Sequence, residues 1–352
     1  MNWEQLTEYI LTKGKALGFQ DIGISSIDLG QTASYLNHWL EQGYAGEMAF
    51  LSKHGSKRTQ PSELVPNTLS IISARLSYAD FKEAEIVLNQ PQKAYIARYA
   101  LGRDYHKTFK QKLKKLAEEI QKICPEANQR IFVDSGPVME VQIATQAGLG
   151  WRGKNTLLLT KNSGSNYFLG EIYLDLPLIP STHIEKNHCG RCQRCLTACP
   201  TQAFVKPYVL DASRCLSYLT IEYDGVIPEE FREAMGNRIY GCDDCQIVCP
   251  WNRFATKSAE LDFQTRNLLD QSDLITLFQW DEKMFSQKMA GSPIYRIGYK
   301  KWRRNLAIGL GNAAASSAIL DALKQAYLDA DPVLSIHFAW AIEKQEKKLA
   351  FL

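Results

Sequence analysis

Eight cysteines between Cys189 and Cys249 restrict this chain more than any other feature. The first run reads Cys189-Gly190-Arg191-Cys192-Gln193-Arg194-Cys195-Leu196-Thr197-Ala198-Cys199-Pro200. The second reads Cys242-Asp243-Asp244-Cys245-Gln246-Ile247-Val248-Cys249-Pro250, and Cys215 stands alone between them. The spacing Cys-x2-Cys-x2-Cys-x3-Cys-Pro holds iron–sulfur clusters, and the cysteine before proline ligates the other cluster. It predicts two four-iron clusters: Cys189, Cys192, Cys195 and Cys249 for cluster one, and Cys199, Cys215, Cys242 and Cys245 for cluster two. Disulfides would require an oxidising compartment. Zinc also takes Cys-x2-Cys pairs, but it does not call for the triple spacing or the trailing proline. The second half departs from the pattern, because Cys215 lies far upstream of Cys242.

At 352 residues the chain suggests two or three domains. Its 45% hydrophobic and 22% charged composition is that of an ordinary folded protein. A net charge of +3 is too small to argue a nucleic-acid partner by itself; only local clustering can do that. The start, Met1-Asn2-Trp3-Glu4, lacks the basic and apolar regions of a signal peptide, and no apolar run is long enough to span a bilayer. With oxygen-sensitive clusters, this predicts a cytoplasmic protein with no membrane contact. Monomer is the expected state. Cys124, the ninth cysteine, precedes Pro125 and reads as a plain structural thiol.

Periodicity organises the first half. Residues 4–17 read as an amphipathic helix closed by Gly18, with Leu6, Ile10 and Leu17 on one face. Strands are expected at Phe19 to Ile24, Leu69 to Ser73 and Ala94 to Tyr99. Phe109, Leu113, Leu116, Ile120 and Ile123 mark a second helix. Its other faces carry Lys107, Lys110, Lys112, Lys114 and Lys115, a solvated face or a nucleic-acid contact. Arg130 to Val133 is a strand that delivers Asp134 to a Gly136-Pro137 turn. Strand ends are where α/β proteins place their chemistry. A helix over Val138–Ala147 leads to Gly148, Gly150 and Gly153, which allow close backbone approach. Thr156–Thr160 and Tyr167–Leu174 read as a hairpin. Neither a P-loop nor a Gly-x-Gly-x-x-Gly follows any strand.

Beyond Lys300 the chain becomes helical, and Asn305–Leu310 resembles His337–Ile342 at an offset of 32 residues, as stacked helical hairpins do. Lys300-Lys301-Trp302-Arg303-Arg304 precedes it. This is either a solvated helix start or a phosphate-contacting patch, with Lys301, Arg303 and Arg304 as the candidate nucleic-acid contacts.

Taken together, Arg98-Tyr99-Ala100, Asp104-Tyr105-His106, Val133-Asp134-Ser135-Gly136-Pro137, Ala147 to Trp151, Gly153-Lys154-Asn155 and Phe168 to Ile172, followed by the cysteine block and helical tail, resemble the epoxyqueuosine reductases over nearly the whole chain. The resemblance implies an α/β (α+β) cobalamin domain related to nitroreductases and reductive dehalogenases over 1–180. It further implies a ferredoxin-like two-cluster domain over 181–260 and a HEAT-like helical, tRNA-binding region over 261–352. It also implies cobalamin and two 4Fe-4S clusters, a tRNA substrate carrying epoxyqueuosine, and an external low-potential donor, flavodoxin or ferredoxin. Asp134 matches the family's proton donor, and an acid working near neutral pH is expected to have a raised pKa. A turn-capping Asp is its plainer reading. Tyr105 and His106 are candidates for orienting substrate or cofactor, and Lys57, Arg98, Lys154 and Asn155 for holding the cofactor periphery. Two other readings remain open: a cobalamin-dependent reductive dehalogenase, and a ferredoxin-type carrier without a catalytic site.

Overall fold

The computed structural model describes residues 2–78 and 81–351; Met1, part of the start read above, lies outside them. The central layer is a four-stranded antiparallel sheet in the order Asp21–Ser25, Ser70–Ser77, Tyr167–Leu174, Gln129–Phe132. Ser70–Ser77 is buried along its whole length, as a strand covered on both faces must be. Helix Tyr105–Ile123 lays Phe109, Leu113, Leu116 and Ile120 across this sheet, the face expected from its period. Gly170 permits the approach: a Cβ there would stand 2.9 Å from Leu113 Cδ1. Helix Trp3–Ala16 buries Leu6 and Ile10 beside it, while Leu17 is only partly covered.

Three local expectations change. Tyr95–Ile96 does not join the main sheet; it pairs in parallel with Arg238–Tyr240, carrying the first half of the chain into the cysteine-bearing half. Thr156–Thr160 and Tyr167–Leu174 do not form a hairpin. Leu158–Leu159 pairs instead with Trp151–Arg152, and Tyr167–Leu174 is taken by the long strand Ser70–Ser77. Gly150 serves that short pairing: at φ 156°, its Cβ would sit 2.2 Å from Leu159 O. Gly148 and Gly150 therefore admit the chain's own backbone, at the His183 and Leu159 carbonyls.

The second core is continuous from Leu216 to Ala341 and also takes in Ala94, Ile96, Ala100 and Leu101. The boundary expected at 261 is therefore not a packing boundary. Helices Gly298–Asn312, Ser317–Tyr327 and Pro332–Leu349 close the chain. The two segments that repeat in sequence lie on the first and last of these, where Gly311 meets Trp340. His337 is fully buried and locks this tail down: its Nε2 accepts the Ile227 N–H at 3.1 Å, and its Nδ1 lies 2.6 Å from Val333 O. Among the described residues, no helix is long and apolar enough to cross a membrane.

Candidate active site

Asp134 lies two residues beyond strand Gln129–Phe132, where the backbone turns with φ 51°. Aspartate tolerates this left-handed conformation better than most side chains. Its carboxylate opens to solvent and accepts a 2.6 Å hydrogen bond from the Tyr105 hydroxyl. His106 Nε2 is 3.1 Å from the same Oδ2, and His106 Nδ1 is 2.7 Å from Asp104 Oδ1. Asp104 caps helix Tyr105–Ile123 and thereby aims both Tyr105 and His106 at Asp134. Tyr105 is further fixed by stacking on Phe168, with centroids 3.9 Å apart.

Burial works against the His106 cation, but hydrogen bonds to Asp104 and Asp134 outweigh it and raise the imidazole to about 9. Burial likewise pulls Asp134 up, but hydrogen bonds from His106 and Tyr105 leave it below the usual carboxylate range. This corrects the expectation of a raised Asp134: the proton at neutral pH sits on His106, and the pair titrates as a unit. Behind them is Glu140, which periodicity had placed only as part of a helix. Its Oε1 accepts the Asp134 backbone N–H at 2.6 Å, and burial, then the Asp134 charge, raise it to about 8. No local pattern marks Glu140; it acts through a turn six residues away.

The Asp134 site is joined to the cysteines by aromatic contacts. Tyr105 meets Tyr99 edge-on at 6.0 Å, and the Tyr99 and Tyr240 hydroxyls are 3.4 Å apart. Tyr240 precedes Cys242 by two residues. Arg296, another residue the sequence did not single out, pairs with Glu222 at 2.6 Å and lends positive charge to Asp134, Tyr99 and Tyr240.

The cysteines fall into two groups in space. Cys189, Cys192, Cys195 and Cys249 line one cavity of about 200 Å³ with Lys154, Asn155 and Trp251. Cys215 feels Cys199, and Cys242 feels Cys215 and Cys245. The Ala203 N–H donates to Cys199 Sγ at 3.3 Å. Burial first, and then neighbouring acids and thiols, push Cys242 and Cys245 well above the ordinary thiol range. Such thiols ionise only against strong positive charge, which iron supplies. Among the described residues no three His, Cys, Asp or Glu side chains converge as a single ion requires. A four-iron cluster instead spreads its ligands around a cube, so these residues fit it.

Several expected site residues lie elsewhere. Lys154 does not face the Asp134 site: its Nζ donates to the carbonyls of Gly190 and Cys192 at 2.7 and 2.9 Å. Asn155 is buried and donates to Cys245 O at 3.4 Å. Both brace cysteine loops. The Arg98 backbone N–H donates to Asp243 beside cluster two. Lys57 is exposed on the segment that enters buried Arg58, whose charge is felt by Glu140. The basic cluster of the tail is structural. Arg304 is 1% exposed and donates to the carbonyls of Leu219, Tyr223 and Gly225. Lys301 donates to Ile221 O and pairs with Asp224. Arg303 lies 4.0 Å over the Phe278 ring.

Segment 39–58 is tied to the cysteine-bearing half of the chain. It is anchored by Trp39 on Leu210 O, by Glu47 on Tyr218 and by Arg58 on Phe50 and Leu51 carbonyls. Between these anchors it stays largely exposed, with Phe50 49% open.

Residues 58–135 match the family described as "Epoxyqueuosine reductase QueG, DUF1730", and residues 188–252 the "4Fe-4S double cluster binding domain". An epoxyqueuosine reductase of Pseudomonas aeruginosa is 52% identical over 342 residues, 97% of this chain and 94% of the relative. The crystal structure of a selenomethionine-labelled epoxyqueuosine reductase has a TM-score of 0.89 at 28% identity, over 100% of this chain and 96% of that one. A second epoxyqueuosine reductase structure contains a tRNA-Tyr epoxyqueuosine-modified stem loop; its TM-score is 0.88 at 30% identity, over 98% of this chain and 91% of that one. The fold is that of these solved proteins.

Proposed function

This chain belongs to the epoxyqueuosine reductase family, and from that premise we propose that it reduces epoxyqueuosine in tRNA to queuosine at the anticodon wobble position. Both carbon–oxygen bonds of the epoxide break, a carbon–carbon double bond forms, and oxygen leaves as water with two electrons and two protons. The observation that carries this reading is the Asp134 site, hydrogen-bonded to Tyr105 and His106 and joined through Tyr99 and Tyr240 to the cluster-two loop.

Residues around Asp134, with Lys57 and Arg98, would hold cobalamin, which when bound would supply low-valent cobalt chemistry able to deliver electrons to the epoxide. The chain's own residues handle protons and position. His106 holds a proton between two carboxylates, and Asp134 passes it to the departing oxygen. Tyr105 fixes the Asp134 carboxylate. Glu140, raised to about 8 and so largely protonated at neutral pH, is the reserve behind the turn. Arg296 offers charge to the cofactor periphery or to the tRNA at the mouth of the site. Lys57 and Arg98 remain candidates for that periphery. Lys107 and Lys110 are exposed on the first turns of the helix that presents His106, and they are the phosphate contacts we favour. The helices carrying the internal repeat form a HEAT-like pair that braces the cluster region.

Incubating reduced, cofactor-loaded protein with epoxyqueuosine-containing tRNA and analysing the nucleosides by mass spectrometry tests the reading. Queuosine is the expected product; an intact epoxide after full reduction overturns it.

A further inference from the structure

The two cysteine runs face opposite surroundings. Residues 190–194 are exposed throughout, Cys192 included, whereas Cys242 and Cys245 lie against the buried Asp243 and Tyr95. Arg191 and Arg194 flank the exposed cluster-one ligand, with Lys186 exposed nearby. The only acid in residues 181–210 is Glu185, which is already paired with Lys161, His183 and His188. The arginine charges are therefore not cancelled locally. Lys154 pins the loop by its Gly190 and Cys192 carbonyls, so the face is also held in shape.

We propose that this basic loop around Cys192 is the docking face for the electron donor, and that the donor is an acidic one-electron carrier protein. The proposal rests on the reading of the chain as a cluster-wired reductase and adds the place where electrons enter. At each encounter the donor loses one electron and cluster one gains it; two encounters supply one turnover. Electrons must arrive close to a ligating sulfur, and Cys192 is the one cluster ligand in the exposed class. Complementary charge then gathers and orients the partner. Nucleic acid would also be drawn to such a face, but bound there it would cap the sulfur through which electrons must enter.

The direction of travel agrees with the rest of the fold. Helix Arg194–Thr197 leads from the cluster-one ligand Cys195 to the cluster-two ligand Cys199. Cluster two in turn adjoins Tyr240 and Tyr99, on the Asp134 side. Entry at the basic loop therefore uses both clusters in series.

The test uses holoprotein with both clusters and reduced acidic flavodoxin as the probe. Arg191→Glu/Arg194→Glu should weaken flavodoxin binding about tenfold or more at low ionic strength and slow flavodoxin-driven cluster bleaching in proportion; added salt should shrink the difference. Iron content and bleaching by dithionite should match wild type. Lys283→Glu/Lys288→Glu makes the same net-charge change away from the loop and should leave flavodoxin affinity near wild type. Should the first variant lose iron, Arg191→Gln/Arg194→Gln serves in its place. Unchanged flavodoxin affinity overturns the proposal, as does equal weakening in both charge variants. Loss of tRNA affinity with flavodoxin binding intact assigns the face to tRNA and also overturns it. Failure of dithionite-reduced wild type to consume the epoxide would instead count against the proposed function, and the binding result would stand apart from it.

Discussion

The two cysteine runs share the spacing Cys-x2-Cys-x3-Cys-Pro but not their surroundings. Cys189 to Cys195 is interleaved with glycine, glutamine and two arginines and lies at the surface. Cys242 to Cys249 encloses Asp243 and Asp244. Asp243 is 1% exposed and accepts from the Tyr95 hydroxyl and the Arg98 backbone N–H, both at 2.7 Å. Asp244 is held by Arg238 at 2.5 Å. The spacing therefore determines what is bound, while the flanking residues determine what each site can meet. An exposed cationic site can meet a protein partner; a buried anionic one can meet only the cofactor side of its own chain.

The hardest test of this contrast removes one ligand from each run. Cys245→Ser should abolish turnover, cut iron from about eight to about four per chain and lower the unfolding temperature sharply. Cys192→Ser should also lose cluster-one iron but leave the unfolding temperature close to wild type. The reverse order in melting temperature would break the comparison. Asp134→Asn comes next, because it separates electrons from protons. Both clusters should still bleach with dithionite, while queuosine formation falls about 10²–10⁴-fold. A rate near wild type would remove Asp134 as the proton donor.

Burial should rank the arginines as it ranks the cysteines. Arg304→Met leaves three core carbonyls without a donor and should cost about 3 kcal/mol in denaturant unfolding. Arg194→Met should stay within about 0.5 kcal/mol. Equal costs would mean that exposure does not separate them. The smallest effect concerns His106. Its folded pKa, about 9, is above the ordinary value of 6.5, so it stabilises the fold fully below pH 6.5 and loses that contribution as pH rises through 9. Melting curves from pH 6 to 10 should show this slope in wild type and not in His106→Gln.

Local pattern was reliable where one short stretch contains the whole cause. The helix Tyr105–Ile123 follows from an apolar period and ends up buried on that face. Asp134 was marked by the strand-to-turn junction that presents it. The partners of Lys154, Asn155 and the Lys301–Arg304 cluster are not legible in this way, because a polar side chain in sequence does not reveal which carbonyls will surround it. Arg304 finds its acceptors some 80 residues upstream. Short-range spacing pairs Tyr167–Leu174 with its near neighbour, yet it pairs with Ser70–Ser77, a partner long enough to match all eight of its residues.

What the amino-acid order carried was covalent and local: which thiols come in which spacing, where strands and amphipathic helices begin, and which acid stands at a strand's end. Tertiary structure decided the proton's place on His106, the reserve at Glu140, the structural use of the tail's basic residues, and the opposite exposure of the two cysteine runs. The physical reason is the same in each case. Burial and electrostatic environment are sums over neighbours from distant parts of the chain, and those neighbours are brought together only when the sheet and the two cores close.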